Sequence, residues 1–175
     1  MAQGILPQDV VVLAKLVSCG GRRPPLAQLA ADLALSSSQV HLSLKRLERA
    51  RLTDAQDGRP LLRSVEEFLV HAVKYLVPAQ RGEITRGMPT AYAALPLKEQ
   101  ITAGSDPLPV WPSADGQVRG SAFEPVHKTV PAAAAKDAVL YEILALVDAL
   151  RDGRARERQI AERELAARLR KQLRD

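Results

Sequence analysis

The sequence predicts a mainly α-helical protein with a small N-terminal β-hairpin, and three observations carry that prediction. Nearly half of the 175 residues are hydrophobic, yet only two Phe, three Tyr and one Trp are present. The core must therefore be aliphatic, which favours packed helices. Apolar residues recur at helical spacing in the first 76 residues and again from Asp137 onward,. Between these stretches, residues 78–136 hold most of the prolines and lose that periodicity,. The chain accordingly divides into 1–77, an irregular Pro/Gly-rich arm 78–136, and a helical segment 137–175 that dimerises or packs.

The first helix is expected over Pro7 to Ser18, with Pro7 in the first turn and a broad apolar face of Val10, Val11, Leu13, Ala14, Leu16 and Val17,. Cys19-Gly20-Gly21 ends it,. The stiff Arg22-Arg23-Pro24-Pro25 linker leads to a second helix, Leu26 to Leu33. After a short turn at Ala34-Leu35-Ser36, a third helix runs from Ser37 to Arg49, capped by Ser36 or Ser37, with Val40, Leu44 and Leu47 facing inward,. Arg51-Leu52-Thr53 then starts a strand, Gln56-Asp57-Gly58-Arg59 supplies an Asp-Gly turn, and Pro60-Leu61-Leu62 returns,. Three helices followed by a hairpin read as a winged helix-turn-helix, with the hairpin as its wing.

Ser64-Val65-Glu66-Glu67 has the form of a capping box that opens a fourth helix to about Leu76, where Pro78 stops it,. The arm that follows is too apolar to be simply disordered. Its expected order is a short helix near Leu97 to Ala103, a short strand at Gln117 to Phe123, and Trp111 anchoring the arm to the core. Helix returns at Asp137, with Val139, Leu140, Ile143, Leu144, Val147 and Leu150 on one face and Asp152-Gly153 closing it. The last helix, Arg154 to about Leu173, is highly charged. Its narrow stripe of Ile160, Ala161, Leu165, Leu169 and Leu173 suits either a dimer seam or packing against its own chain, and the dimer is preferred,.

Charge agrees with the reading of the third helix. The formal charge is +5, and residues 1–63 carry nine Lys or Arg against five acids, while the rest of the chain is nearly balanced,. A helix that enters a major groove must lock one face into the core and offer short polar and basic groups on the other. Ser37, Ser38, Gln39, His41, Leu42, Lys45, Arg46 and Arg49 form that second face. Gln39 is placed to pair with adenine and Leu42 to touch a thymine methyl. Ser37 and Ser38 suit phosphates near the helix start, and Lys45, Arg46 and Arg49 suit phosphates further along. Arg59 at the wing tip is placed for the minor groove or its phosphates.

The run from Leu26 to Val40, continued by Leu44-Lys45-Arg46-Leu47-Glu48-Arg49-Ala50-Arg51-Leu52, resembles bacterial winged-helix regulators of the MarR-like type. The resemblance covers roughly the first third of the chain and implies a transcriptional regulator. Such families often carry Gly where this chain has Arg51, so the path into the wing is expected to differ. Phe68-Leu69-Val70-His71-Ala72-Val73-Lys74-Tyr75 and Arg86-Gly87-Met88-Pro89-Thr90-Ala91 resemble an uncharacterised family of bacterial helix-turn-helix proteins, which implies a shared architecture and no known ligand.

Other chemistries find little support. A single cysteine, Cys19, excludes an internal disulfide and a cysteine-rich metal site,. His41, His71 and His127 lie far apart and lack metal-ligand spacing,. No nucleophile elbow, phosphate-binding glycine loop or compact carboxylate set is present, so no enzyme activity and no cofactor are expected. No leader pattern or run of about 18 apolar residues occurs, so a cytoplasmic protein without membrane contact is expected. In the arm, Arg81, Thr85 and Arg86 are candidates for contact with an anion or a partner. The functional expectation is sequence-specific binding of double-stranded DNA by a homodimer on an inverted repeat. The alternative from another class is a protein-interaction adaptor, such as an antitoxin-like component of a defence or toxin–antitoxin system.

Overall fold

A computed structural model describes residues 4–173. The chain forms α1 (Pro7–Ser18), α2 (Leu26–Leu33), α3 (Ser37–Arg49) and α4 (Leu62–Glu67). A π-helical stretch, Phe68–Ala72, joins α4 to α5 (Val73–Leu76). Then come β1 (Arg81–Pro89), two 3-10 turns, β2 (Pro109–Pro112) and β3 (Val118–Phe123), followed by α6 (Val130–Ala134), α7 (Ala138–Asp152) and α8 (Ala155–Gln172). Helices dominate, and the three strands form one sheet.

Two helices make the centre. Val10 to Ala14, Leu16 and Val17 of α1 are buried on nearly every side, as are Leu140 and Ile143 to Leu150 of α7, and helices apolar all round belong in a core. One buried cluster joins them to α2, α3, α8 and Trp111. Lys15 ties three elements together, because its ammonium lies 2.9 Å from Asp137 at the start of α7 and 3.2 Å from Asp32 on α2. Asp137 also accepts from the Leu140 N–H, and this cap explains why α7 begins where it does,.

The ends of α1, α2 and α3 share one geometry. Each closes with a six-residue backbone bond: Gly21 N–H to Leu16, Leu35 N–H to Ala30, and Leu52 N–H to Leu47,. The left-handed residue before each donor is Gly20, Ala34 and Arg51, with φ of 68°, 52° and 57°. The chain therefore leaves α3 through the turn that glycine favours, even though Arg51 occupies it. The expected difference in the path out of α3 is therefore not seen: Arg51 takes the left-handed conformation itself.

Several expectations need correction. The hairpin expected as a wing is a single bridge, Thr53 opposite Pro60, rather than two strands. Pro60 has no N–H to donate, and α4 starts at Leu62, so the ladder has no residues into which to grow,. Ser64 lies inside α4 and caps nothing, because Leu61 occupies the N-cap. The helix expected over Leu97 to Ala103 is a 3-10 turn, Leu97–Glu99. β1, β2 and α6 are further elements that no expectation from the sequence covers.

The arm is ordered as a small ring of strands. β1 pairs antiparallel with β3 and with β2, and β2 runs parallel to β3, so the sheet closes on itself. Such a narrow closure needs backbone against backbone. A Cβ on Gly87 would stand 2.1 Å from the Trp111 carbonyl oxygen, and one on Gly120 would stand 2.1 Å from that of Leu108. Those glycines let the strands meet.

A buried polar hub docks the ring on α7. Asp148 accepts from the Trp111 indole at 2.6 Å, from the Thr90 hydroxyl at 2.8 Å and from Arg151 at 2.6 Å. Arg151 also donates to the carbonyls of Val77, Pro78 and Glu124. Its guanidinium lies over the Phe123 ring,. Trp111 is fully buried, so it does anchor the arm.

Helix α8 folds back on its own chain. Ala161, Leu165 and Leu169 are fully buried, packed mainly against α7. Three of the five residues of the stripe preferred as a dimer seam are therefore covered within the chain, and Ile160 and Leu173 are half-buried. No helix among the described residues is long and apolar enough to cross a membrane.

Candidate nucleic-acid interface

Helix α3 starts with a reciprocal cap. The Ser36 hydroxyl accepts from the Gln39 backbone N–H at 3.2 Å, and the Gln39 side-chain Oε1 accepts from the Ser36 N–H at 2.9 Å,. Gln39 is exposed, but its acceptor is engaged in the cap. Bidentate pairing with adenine needs both ends of the amide, so Gln39 is a capping residue first.

Val40, Leu44 and Leu47 are buried as expected, and Ser43 joins them. Arg46 is the correction. It is only 8% exposed, and its guanidinium grips fully buried Asp9 on α1 through two bonds of 2.7 Å. Asp9 in turn accepts from the Leu6 N–H at the start of α1. A buried fork of this kind fixes the rotation of α3 on α1, and it removes Arg46 from any contact with a ligand. The heptad-like spacing gave the face correctly but could not reveal Asp9 behind it.

Ser37, Ser38, His41, Leu42, Lys45 and Arg49 are all exposed. Leu42 is 52% exposed in the middle of this face. A cleft of about 210 Å³ separates α3 from loop 54–58 and is lined in part by Arg23, His41, Lys45 and Glu48. Arg23 was read only as part of a linker; its position beside α3 follows from the turn after α1. The loop's own acids are partly occupied. Asp54 accepts from the N–H groups of Gln56 and Asp57, and Asp57 accepts from that of Arg59. Arg59 is exposed at the end of this loop.

The candidate trio of the arm is split. Arg81 pairs with Asp152 at 2.6 Å and lies over the Phe123 ring. Thr85 and Arg86 line a different cleft, together with Arg119. Arg119 was missed because Val118-Arg119-Gly120 carries no sign in sequence of the strand it faces. Among the described residues no cluster of three or more His, Cys, Asp or Glu is arranged to hold a metal ion.

No family model, curated protein or solved structure matches the chain. The functional reading therefore rests on the residues.

Proposed function

We propose that the protein binds double-stranded DNA sequence-specifically, as a transcriptional regulator, through α3. The observation that carries this reading is the division of α3 into two faces. Val40, Leu44, Leu47 and the Arg46–Asp9 pair lock one face to the core. The other offers two hydroxyls, an imidazole, one aliphatic side chain and two cations to solvent. Small polar groups at the helix start and basic groups further along suit a groove about 12 Å wide. Ser37 and Ser38 contact phosphate at the capped N-terminus, Leu42 meets a thymine methyl, and Lys45 and Arg49 contact the flanking backbone. Arg59 and Arg23 extend the contact from the loop side. Two copies on an inverted repeat would have to pair through a surface other than the stripe of α8.

A protein-interaction adaptor is the second reading, favoured by the exposed Leu42 at the centre of the face. Selection of fragments from genomic DNA separates the two. Recovery of a recurrent motif, whether one half-site or two about 10 base pairs apart, supports the regulator. Recovery of nothing above background would leave the adaptor.

A further inference from the structure

We propose that Arg86 and Arg119 form a clamp for a phosphate-type oxyanion on the outer face of the β ring. The register of β1 and β3 sets these two residues directly opposite each other. Opposed residues of an antiparallel pair stand about 5 Å apart at Cβ, and like charges there destabilise the sheet. Several arginines of the fold are answered by a carboxylate: Arg46 by Asp9, Arg81 by Asp152, Arg151 by Asp148, Arg168 by Glu142. Arg86 and Arg119 have no ion pair and no side-chain hydrogen bond among the described residues. Both are exposed.

They also share a concavity. Arg86, Arg119, Thr85, Gln117 and Gly116 line a cleft of about 450 Å³. Backbone lies against backbone there, since a Cβ on Gly116 would stand 2.3 Å from the carbonyl carbon of Gly87. Gln117 donates its amide to the Asp115 carbonyl, which leaves its side chain held by the turn. A tetrahedral oxyanion seated between two planar forks can be gripped by each through paired N–H donors. One bound phosphate group neutralises the repulsion between the strands, so binding and stability are linked.

The chemistry admits two sources, a phosphorylated small molecule or the backbone of a nucleic acid. The proposal is independent of the reading of α3, because the ring packs on α7 and has no substantial contact with α3. Thermal melting of the intact chain in pyrophosphate, against sodium chloride of equal ionic strength, tests it. Without pyrophosphate, Arg86→Gln and Arg119→Gln should melt at or above the parent. Pyrophosphate should raise the Tm of the parent, bind about tenfold more weakly to either single variant, and leave the double variant unmoved. Arg119→Lys, which keeps the charge and loses the fork, should melt like the parent but bind more weakly. A DNA duplex that displaces pyrophosphate identifies the nucleic-acid backbone as the source, and one that does not identifies a small phosphorylated ligand. An equal Tm rise in the parent and the double variant would overturn the clamp, as would single variants that melt well below the parent.

Discussion

Arg46 and Lys45 are neighbours in sequence with opposite roles, and the difference is measurable. Removing Arg46 leaves the Asp9 carboxylate buried beside an empty site. Truncating one partner of a buried pair costs about 3–5 kcal/mol. Arg46→Ala should therefore lower the urea unfolding free energy by that amount, whereas Lys45→Ala should change it by no more than about 0.5 kcal/mol. A tolerant Arg46→Ala would mean the pair does not hold α3. His127 offers a second test at this scale. Its Nδ1 is held by the Thr129 hydroxyl and N–H just before α6. Burial, helped by Lys128, lowers its pKa from the ordinary 6.5. Protonation then favours the unfolded chain: the contribution is complete above pH 6.5 and is lost as the pH falls toward the depressed value. The urea midpoint should drop between pH 7.5 and 5.5, and less so in His127→Gln. A drop of equal size in both proteins would assign the pH dependence to other groups.

Among the elements, the sequence was most legible where periodicity is helical. α1, α2, α3 and α7 lie where apolar spacing and caps put them, because each buries an aliphatic face that only a helix aligns,. Element edges were harder. The Ser64 motif has the right residues for a cap, but hydrogen bonding of Val65 N–H to Leu61 carries the helix back past it. β1 escaped because Arg81 to Ile84 are all exposed, so no alternation of apolar and polar residues marks the strand,. The site was half legible: the outer face of α3 and the Ser36 cap were found, but Arg46 was placed on that face without its partner Asp9, and Gln39 without its half of the cap. Asp9 lies across a helix interface, which spacing within one helix does not report, whereas Ser36 and Gln39 do have the spacing of a capping box,. In the union of ring and α7, Trp111 was legible as the anchor of the arm, but its partners Asp148 and Thr90 were not, since the three meet only after folding. That union is testable with the only tryptophan of the chain. Asp148→Ala should cost about 3–5 kcal/mol and make Trp111 accessible to a soluble fluorescence quencher. Unchanged quenching would show that the ring docks without the hub.

For the whole molecule, the shared core explains why one chain combines a three-helix unit with a strand ring. α1 and α7 lie side by side, α3 packs on the former, and the ring docks on the latter. α8 covers this pair, with Ala161, Leu165 and Leu169 of its stripe fully buried within the chain. This arrangement leaves the outer face of α3 as a solvent-facing surface on a rigid support, which is what reading a duplex requires. The most direct measurement is the salt dependence of duplex binding by the parent and by Lys45→Ala/Arg49→Ala, followed by fluorescence anisotropy on a selected fragment. Two lost phosphate contacts should weaken binding at every salt concentration and reduce the slope of log K against log salt by about 2. An unchanged affinity and slope would contradict the assignment of α3 as the DNA-binding helix.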